Sequence, residues 1–370
     1  MSLWAARARS AERAVYARHV RRLWLQPGTL LGVVAWPSSR WQRLHLGPWH
    51  YWWQAHLLDC ALDAYLRGPS PGRRAVVDRL ARGVRVRNLR RGWLNGFYDD
   101  VAWLGLALQR ASAAAGVHHH GAVACIRERL RSGWSDAGGG GIWWHIGSDF
   151  KNAPANGPAA ILLARCGDTD GAVRIADWME DCLVEPDNGL VWDGVRVGGD
   201  GTVHTVEKQT YTYCQGVYLG ACVELARRTG DVEWVRRARR TVAAVNTMMT
   251  NVDGVLRTHG RGDGGLFTGI LARYLAQAAL RLPGDSQADR IARQTAADLV
   301  LTSAIAAWRH RAVAAGGPLF GADWSVPAPP SAVLSGRRGG AAERDLSVQL
   351  SGWMLCEAAA FIERQRPDLL

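Results

Sequence analysis

"YTYCQGVYLGACVELARRTGDVEWVRRARRTVAAV", from Tyr211 to Val245, decides the fold. Its first half is apolar or small around almost the whole circumference of a helix, and such a helix has no face to offer to water. Gly230 then stops it. The second half, from Asp231, keeps Trp234, Ala238, Val242 and Val245 on one side and gathers Arg236, Arg239 and Arg240 on the other. One helix buried all round is followed by one helix buried on one face.

The alternation recurs along the chain. "NGPAAILLARC" (156–166) reads like the buried partner and "GAVACIRERLRS" (121–132) like the amphipathic one. Periodicity predicts twelve helices, over about 3–24, 48–67, 72–84, 98–115, 120–132, 153–165, 169–184, 209–228, 231–251, 265–281, 286–313 and 343–364. Gly167, Gly230 and Pro283 supply stop signals. Those starting near Trp52, Asp99, Ala153, Tyr211, Leu266 and Leu346 are the apolar set. Six inner and six outer helices in alternation predict an all-α fold, an (α/α)6 barrel, as a single domain over 1–370. Gly-rich inserts precede several inner helices: "GGGGIWWHIGSDF" (138–150), "DNGLVWDGVRVGGDGTVHTVEKQ" (187–209) and "HGRGDGGLF" (259–267). "GLVWDGVRV" alternates and reads as a short hairpin. Loops of this kind collect at one end of the inner ring, where a cleft opens.

Composition narrows the function. The 370 residues are 48% hydrophobic with a net charge of +12, yet no zinc-finger, RNP or basic-zipper pattern points to nucleic acid. No run reaches the ~18 apolar residues of a membrane span. The N-terminal stretch is Arg-rich without an apolar run and cleavage site, so a cytoplasmic location is expected, or a secreted one if a leader precedes the sequence. That amphipathic basic stretch would also suit peripheral contact with an anionic membrane. Seven cysteines (Cys60, Cys125, Cys166, Cys182, Cys214, Cys222 and Cys356) form no CxxC pair and read as buried free thiols. His118 to His120 read as a solvated connection. No metal, and no organic cofactor, is expected, and the chain is expected to be a monomer.

Eighteen tryptophans against five phenylalanines is an unusual balance. Most of these indoles are core residues, but an indole also stacks on the apolar face of a sugar ring. "YWWQ" (51–54), "IWW" (142–144), Trp192 and Trp353 fall in loops or near helix starts. No Gly-rich run has the strand before it or the Lys of a phosphate loop. Two adjacent carboxylates, Asp99 and Asp100, open an inner helix in "NGFYDDVAWLGLAL" (95–108). Read alone, they are either a helix cap with one solvated neighbour or an acid/base pair.

Five ordered motifs extend the reading. "YWWQAHLLDCALDAY" (51–65), "NGFYDDVAWLGLAL", "GGIWW" (140–144) with "FKNAPANGPAAILLAR" (150–165), "TYTYCQGVYLGACVELA" (210–226) and "GLFTGILARYL" (265–275) resemble, in order, those of glycoside hydrolase family 76. The resemblance spans roughly residues 10–365 and is nearest to Arg-rich actinobacterial members. It implies an (α/α)6 barrel and a retaining endo-α-1,6-mannanase, with Asp99 in the nucleophile's place and Asp100 in that of the general acid/base. It also implies a mannan substrate, including one linked to an anionic lipid. Trp52, Trp53, Gln54, Asn95, Tyr98, Trp143, Trp144, Lys151, Asn152, Asn156, Tyr211 and Gln215 are the candidate sugar-binding residues. Asp263 and Arg273 are weaker candidates; His204 and Glu207 are expected at the periphery. The helix N-terminus is expected to keep Asp99 ionised, and its charge to hold a proton on Asp100. A transglycosidase on the same site and a non-catalytic glycan binder are the alternatives.

Overall fold

The computed structural model describes residues 2–329 and 344–366. Among these lie thirteen helices: α1 (Leu3–His19), α2 (Arg40–Arg43), α3 (Tyr51–Arg67), α4 (Pro71–Arg87), α5 (Tyr98–Ala115), α6 (Ala122–Ser132), α7 (Ala153–Arg165), α8 (Thr169–Leu183), α9 (Thr212–Thr229), α10 (Val232–Met248), α11 (Gly264–Arg281), α12 (Gln287–His310) and α13 (Leu346–Gln365). All but the single turn α2 answer to the twelve predicted helices. Position 343, where the last was expected to begin, lies outside the described residues.

The helices α3, α5, α7, α9, α11 and α13 touch one another in that order, and α13 returns to α3 to close a ring. Helices α4, α6, α8, α10 and α12 each pack outside the inner helix before them, and α1 packs on α13. The fold is the predicted (α/α)6 barrel. Pattern and position agree: every residue of α9 from Cys214 to Ala226 is buried, whereas α10 buries one face through Trp234, Ala238, Val242 and Val245. Glycine lets the inner ring close. A Cβ on Gly216 would stand 2.9 Å from the Leu271 Cα, and one on Gly269 would stand 2.7 Å from the Ser351 Cα.

Parallel inner helices give the barrel two unlike ends. All six N-termini gather at one mouth and all six C-termini at the other, about 25 Å away for helices of this length. Aligned peptide dipoles make the first end partly positive and the second partly negative. Acidic side chains collect at the first and arginines at the second, as described below.

Four expectations are corrected. The first helix stops at His19 rather than near 24, because β1 (Val20–Arg21) pairs antiparallel with β2 (Leu31–Gly32). "GLVWDGVRV" is not a hairpin by itself. Its end, β4 (Gly194–Val197), is the central strand of a three-stranded antiparallel sheet between β3 (Phe150–Asn152) and β5 (Val203–Glu207). Alternation marked one strand correctly, but its partners lie outside the quoted run. A last pair, β6 (Ala312–Ala314) and β7 (Gly317–Leu319), sits beside α1. The seven cysteines are free, but only Cys60, Cys214, Cys222 and Cys356 are buried; Cys125 is exposed on an outer helix. Trp353, grouped with the cleft tryptophans in the sequence, is fully buried in α13 and donates to Glu357. Among the described residues no helix is long and apolar enough to cross a membrane.

Candidate active site

Asp99 and Asp100 occupy the first turn of α5, with Phe97 as the capping residue. No side chain caps this helix. Instead the Trp144 carbonyl accepts from the Tyr98 N–H at 2.9 Å, so the loop between α6 and β3 seals the helix start. Both carboxyls keep some solvent contact at the N-terminal mouth. Asp99 Oδ1 accepts from the Asp100 N–H at 2.7 Å, and Asp99 Oδ2 accepts from the Trp144 indole at 3.0 Å. Asp100 Oδ2 accepts from the Asn95 amide at 2.5 Å, while the Asn95 carbonyl oxygen holds the Phe97 N–H at 2.9 Å.

The electrostatics differ from the expectation in level but not in order. Burial lifts Asp99 from the ordinary aspartate range to about 7, against the opposing pull of the Asp100 N–H and the Trp144 indole. The helix start therefore does not keep Asp99 strongly acidic. Burial raises Asp100 as well, and the neighbouring Asp99 charge raises it further. Asp99 has two donors and Asp100 has one. Asp99 is thus the group that ionises first, and the pair titrates jointly.

A third carboxylate faces them. Asp263, at the start of α11, adds to the rise of both aspartates and accepts from the indoles of Trp52 (3.0 Å) and Trp53 (2.8 Å) through one oxygen. Trp52, Asn95, Trp143, Trp144 and Tyr211 are partly exposed, with Trp144 at 37%. Trp53 is buried and stacks on His50 at 4.2 Å, and Tyr98 is buried against Gly133.

Five polar candidates are buried, and the backbone takes most of their hydrogen-bonding groups. Gln54 clamps Gly32 and reaches the Trp49 carbonyl. Asn152 caps α7, and Asn156 bridges Ile142 and Asn152. Gln215 brackets Val191 and bonds the Tyr211 carbonyl. Lys151 is fully buried; its ammonium donates to the carbonyls of Ser135, Ala137 and Gly140 at 2.6–2.7 Å and lies 4.4 Å from the Trp143 ring. Desolvation pulls its pKa down to about 8. These residues hold the glycine-rich loop and the sheet in place. Arg273 is not at the mouth; it lies buried toward the opposite end, paired with Asp59 and Asp63. His204 and Glu207 are peripheral, bonded to Asp200 and Arg196.

Sequence reasoning missed several residues at this end. Tyr213 stacks face to face on Phe267 at 3.8 Å and feels the charges of both Asp193 and Asp99. Asp193 is raised to about 6, chiefly by burial. The signal for Asp193 was an acidic residue set inside the apolar run "LVWDGV". Tyr213 and Phe267 offered none, since they belong to helices apolar on every side. Among the described residues, no group of three or more His, Cys, Asp or Glu side chains could hold a metal ion.

The Trp144 indole stabilises ionised Asp99, so Trp144→Phe should raise the Asp99 pKa above its value of about 7. The acid limb of the kcat/KM profile should then move up by about 1 pH unit, the scale of one hydrogen bond to a charged group. An unmoved limb would place the titrating group elsewhere.

The family model described as glycosyl hydrolase family 76 matches residues 7–338. An inactive variant of the α-1,6-mannanase GH76A of Salegentibacter sp. HEL1_6, with two adjacent aspartates changed to asparagine and α-1,6-mannotriose bound, superposes with a TM-score of 0.81. The two chains are 31% identical over 97% of this one and 100% of the other. A family 76 mannosidase of Bacteroides thetaiotaomicron shares the fold at 19% identity, TM-score 0.76, covering 98% and 99% of the two chains. A mannan endo-1,6-α-mannosidase of Candida glabrata is 34% identical over 132 residues, which is 32% of this chain and only 29% of that protein.

Proposed function

The chain belongs to glycosyl hydrolase family 76, and from that membership we propose that it is a retaining, endo-acting hydrolase of α-1,6-mannosidic bonds. The observation carrying the catalytic assignment is the paired Asp99 and Asp100 at an open mouth, with unlike donors and unlike proton affinities. The Salegentibacter relative described as inactive has two adjacent aspartates replaced, which supports the same assignment.

In the first step the Asp99 carboxylate attacks the anomeric carbon. The bond to the glycosidic oxygen breaks, and that oxygen takes the proton held by Asp100. In the second step Asp100, now ionised, removes a proton from water, whose oxygen displaces Asp99 and frees the sugar with its original configuration. Asp100 must therefore alternate between acid and base. Its proton affinity follows the charge of its neighbour: it is high while Asp99 is ionised and falls once Asp99 is esterified. Trp52, Trp144, Tyr211 and Tyr213 offer aromatic faces to sugar rings around the pair. The surplus of positive charge suits a mannan carrying an anionic lipid; equal cleavage of neutral and lipid-linked mannan at low salt would remove that part of the reading.

The test is digestion of linear α-1,6-mannan beside α-1,2- and α-1,4-linked glycans, with the anomer of the first product followed by NMR. Mid-chain cleavage of the α-1,6 polymer alone, with the α-anomer formed first, is expected. A β-anomer would refute double displacement. Products longer than the substrate would assign transfer to a sugar acceptor rather than to water, and binding without products would leave only a glycan-holding role.

A further inference from the structure

The C-terminal half of the inner ring contains a cavity of about 560 Å³, whose nearest lining residue on α5, Gln109, lies about 14 Å along that helix from Asp100. Eight arginines line it against three carboxylates, Asp63, Glu224 and Glu357. Five of the arginines are engaged. Arg110 and Arg273 share Asp59 and Asp63, and Arg67 bridges Glu12 and Glu357. Arg165 and Arg228 share the one carboxylate of Glu224. The remaining three, Arg227, Arg281 and Arg364, come from α9, α11 and α13 and have no carboxylate at ion-pair distance among the described residues. Arg281 and Arg364 each lie 5.5 Å from the Phe361 ring.

Helix C-termini attract cations, and one basic residue per helix end needs no further account. A concave space where guanidinium groups from several helices converge does. Arg281 is crowded by like charges: burial, then Arg227, Arg165 and Arg110, all weaken its hold on its proton. An anion seated among them would relieve that crowding.

We infer that this basin binds an organic phosphate. Guanidinium forks arriving from different helices suit a multiply charged tetrahedral group, which can accept paired hydrogen bonds from several directions. The volume lies within the range of small-ligand sites and far exceeds a bare ion. Leu66, Ala113, Met354 and Phe361 line its apolar part, where the organic portion of the ligand would rest. The basin makes no use of the mannan site, so either reading can fail without the other.

The test compares wild type with the Arg227→Gln/Arg281→Gln double variant, in which neither lost side chain holds an ion pair among the described residues. Arg79→Gln/Arg309→Gln, two exposed arginines outside the basin, matches the change in net charge. Probes are inorganic phosphate, mannose 6-phosphate, and phosphatidylcholine vesicles with and without phosphatidic acid. The expected result is saturable binding of a phosphate probe, weakened at least about tenfold in the basin variant and unchanged in the control variant. Binding of mannose 6-phosphate would identify a soluble ester, and binding only of phosphatidic acid vesicles a lipid headgroup. Equal binding by all three proteins, or no saturable binding of any probe, would overturn the inference. Unliganded melting temperatures verify that the variants fold.

Discussion

An Asp99→Asn variant is expected to lose on the order of 10⁴–10⁶-fold in kcat on linear α-1,6-mannan, the scale for removing a nucleophile. The amide is nearly isosteric and still accepts the Asp100 N–H, so the loss reports chemistry rather than collapse of the mouth. The same variant should be more stable than wild type above neutral pH. Burial raises the folded Asp99 pKa to about 7 from the ordinary aspartate value of 3.8. The folded state therefore binds this proton more tightly than the unfolded state does. Its contribution to stability is complete below the unfolded pKa and lost as pH rises through the folded one. At pH 8 the wild type bears the full cost of a buried charge and the asparagine bears none. Three pKa units correspond to about 4 kcal/mol, and solvent at the mouth reduces the expected gain to about 2 kcal/mol. The gap in melting temperature should close toward pH 4. Asp100→Asn should behave differently: with an activated aryl mannoside it should form the Asp99 ester and then stall, because no base remains to activate water. If Asp99→Asn keeps more than about a tenth of wild-type activity, a loss far below the nucleophile scale, the catalytic assignment fails.

The second large effect lies deeper in the barrel, about halfway along α3. Asp59→Ala should cost about 3–5 kcal/mol of stability, because it strands part of the charge of two buried arginines. Arg110 and Arg273 both bond Asp59, and each also reaches Asp63 at 2.5 Å. Burial pushes the Asp59 carboxyl up, but Arg110 and Arg273 outweigh it and hold the pKa below the ordinary value. A carboxylate lowered in this way stabilises the fold above its unfolded pKa, and that contribution disappears as pH falls through the folded one. Urea unfolding at pH 7 should show the loss, and the gap to wild type should narrow below pH 4. A cost under about 1 kcal/mol would mean that water solvates this cluster, as it does exposed ion pairs. The destabilisation should leave the kcat of the folded fraction unchanged, since the cluster is distant from the mouth.

The chain order of its patterns determined much of this protein. Twelve helices, their sorting into inner and outer rings, and the Asp99–Asp100 pair were all legible, because each depends on neighbours within one or two helical turns. Whether a polar side chain meets solvent or backbone does not depend on such neighbours. Lys151, Asn156 and Gln215 looked like sugar ligands beside their motifs, yet the tertiary structure aims them at carbonyls and amides of loops 11 to 24 residues away. Asp263 and Tyr213 reach the mouth only because α11 and α9 start at the same end of the barrel as α5. Proton affinities and the arginine basin belong to the same class. Both arise where residues far apart in sequence share one desolvated space, and the closing of the ring creates that space.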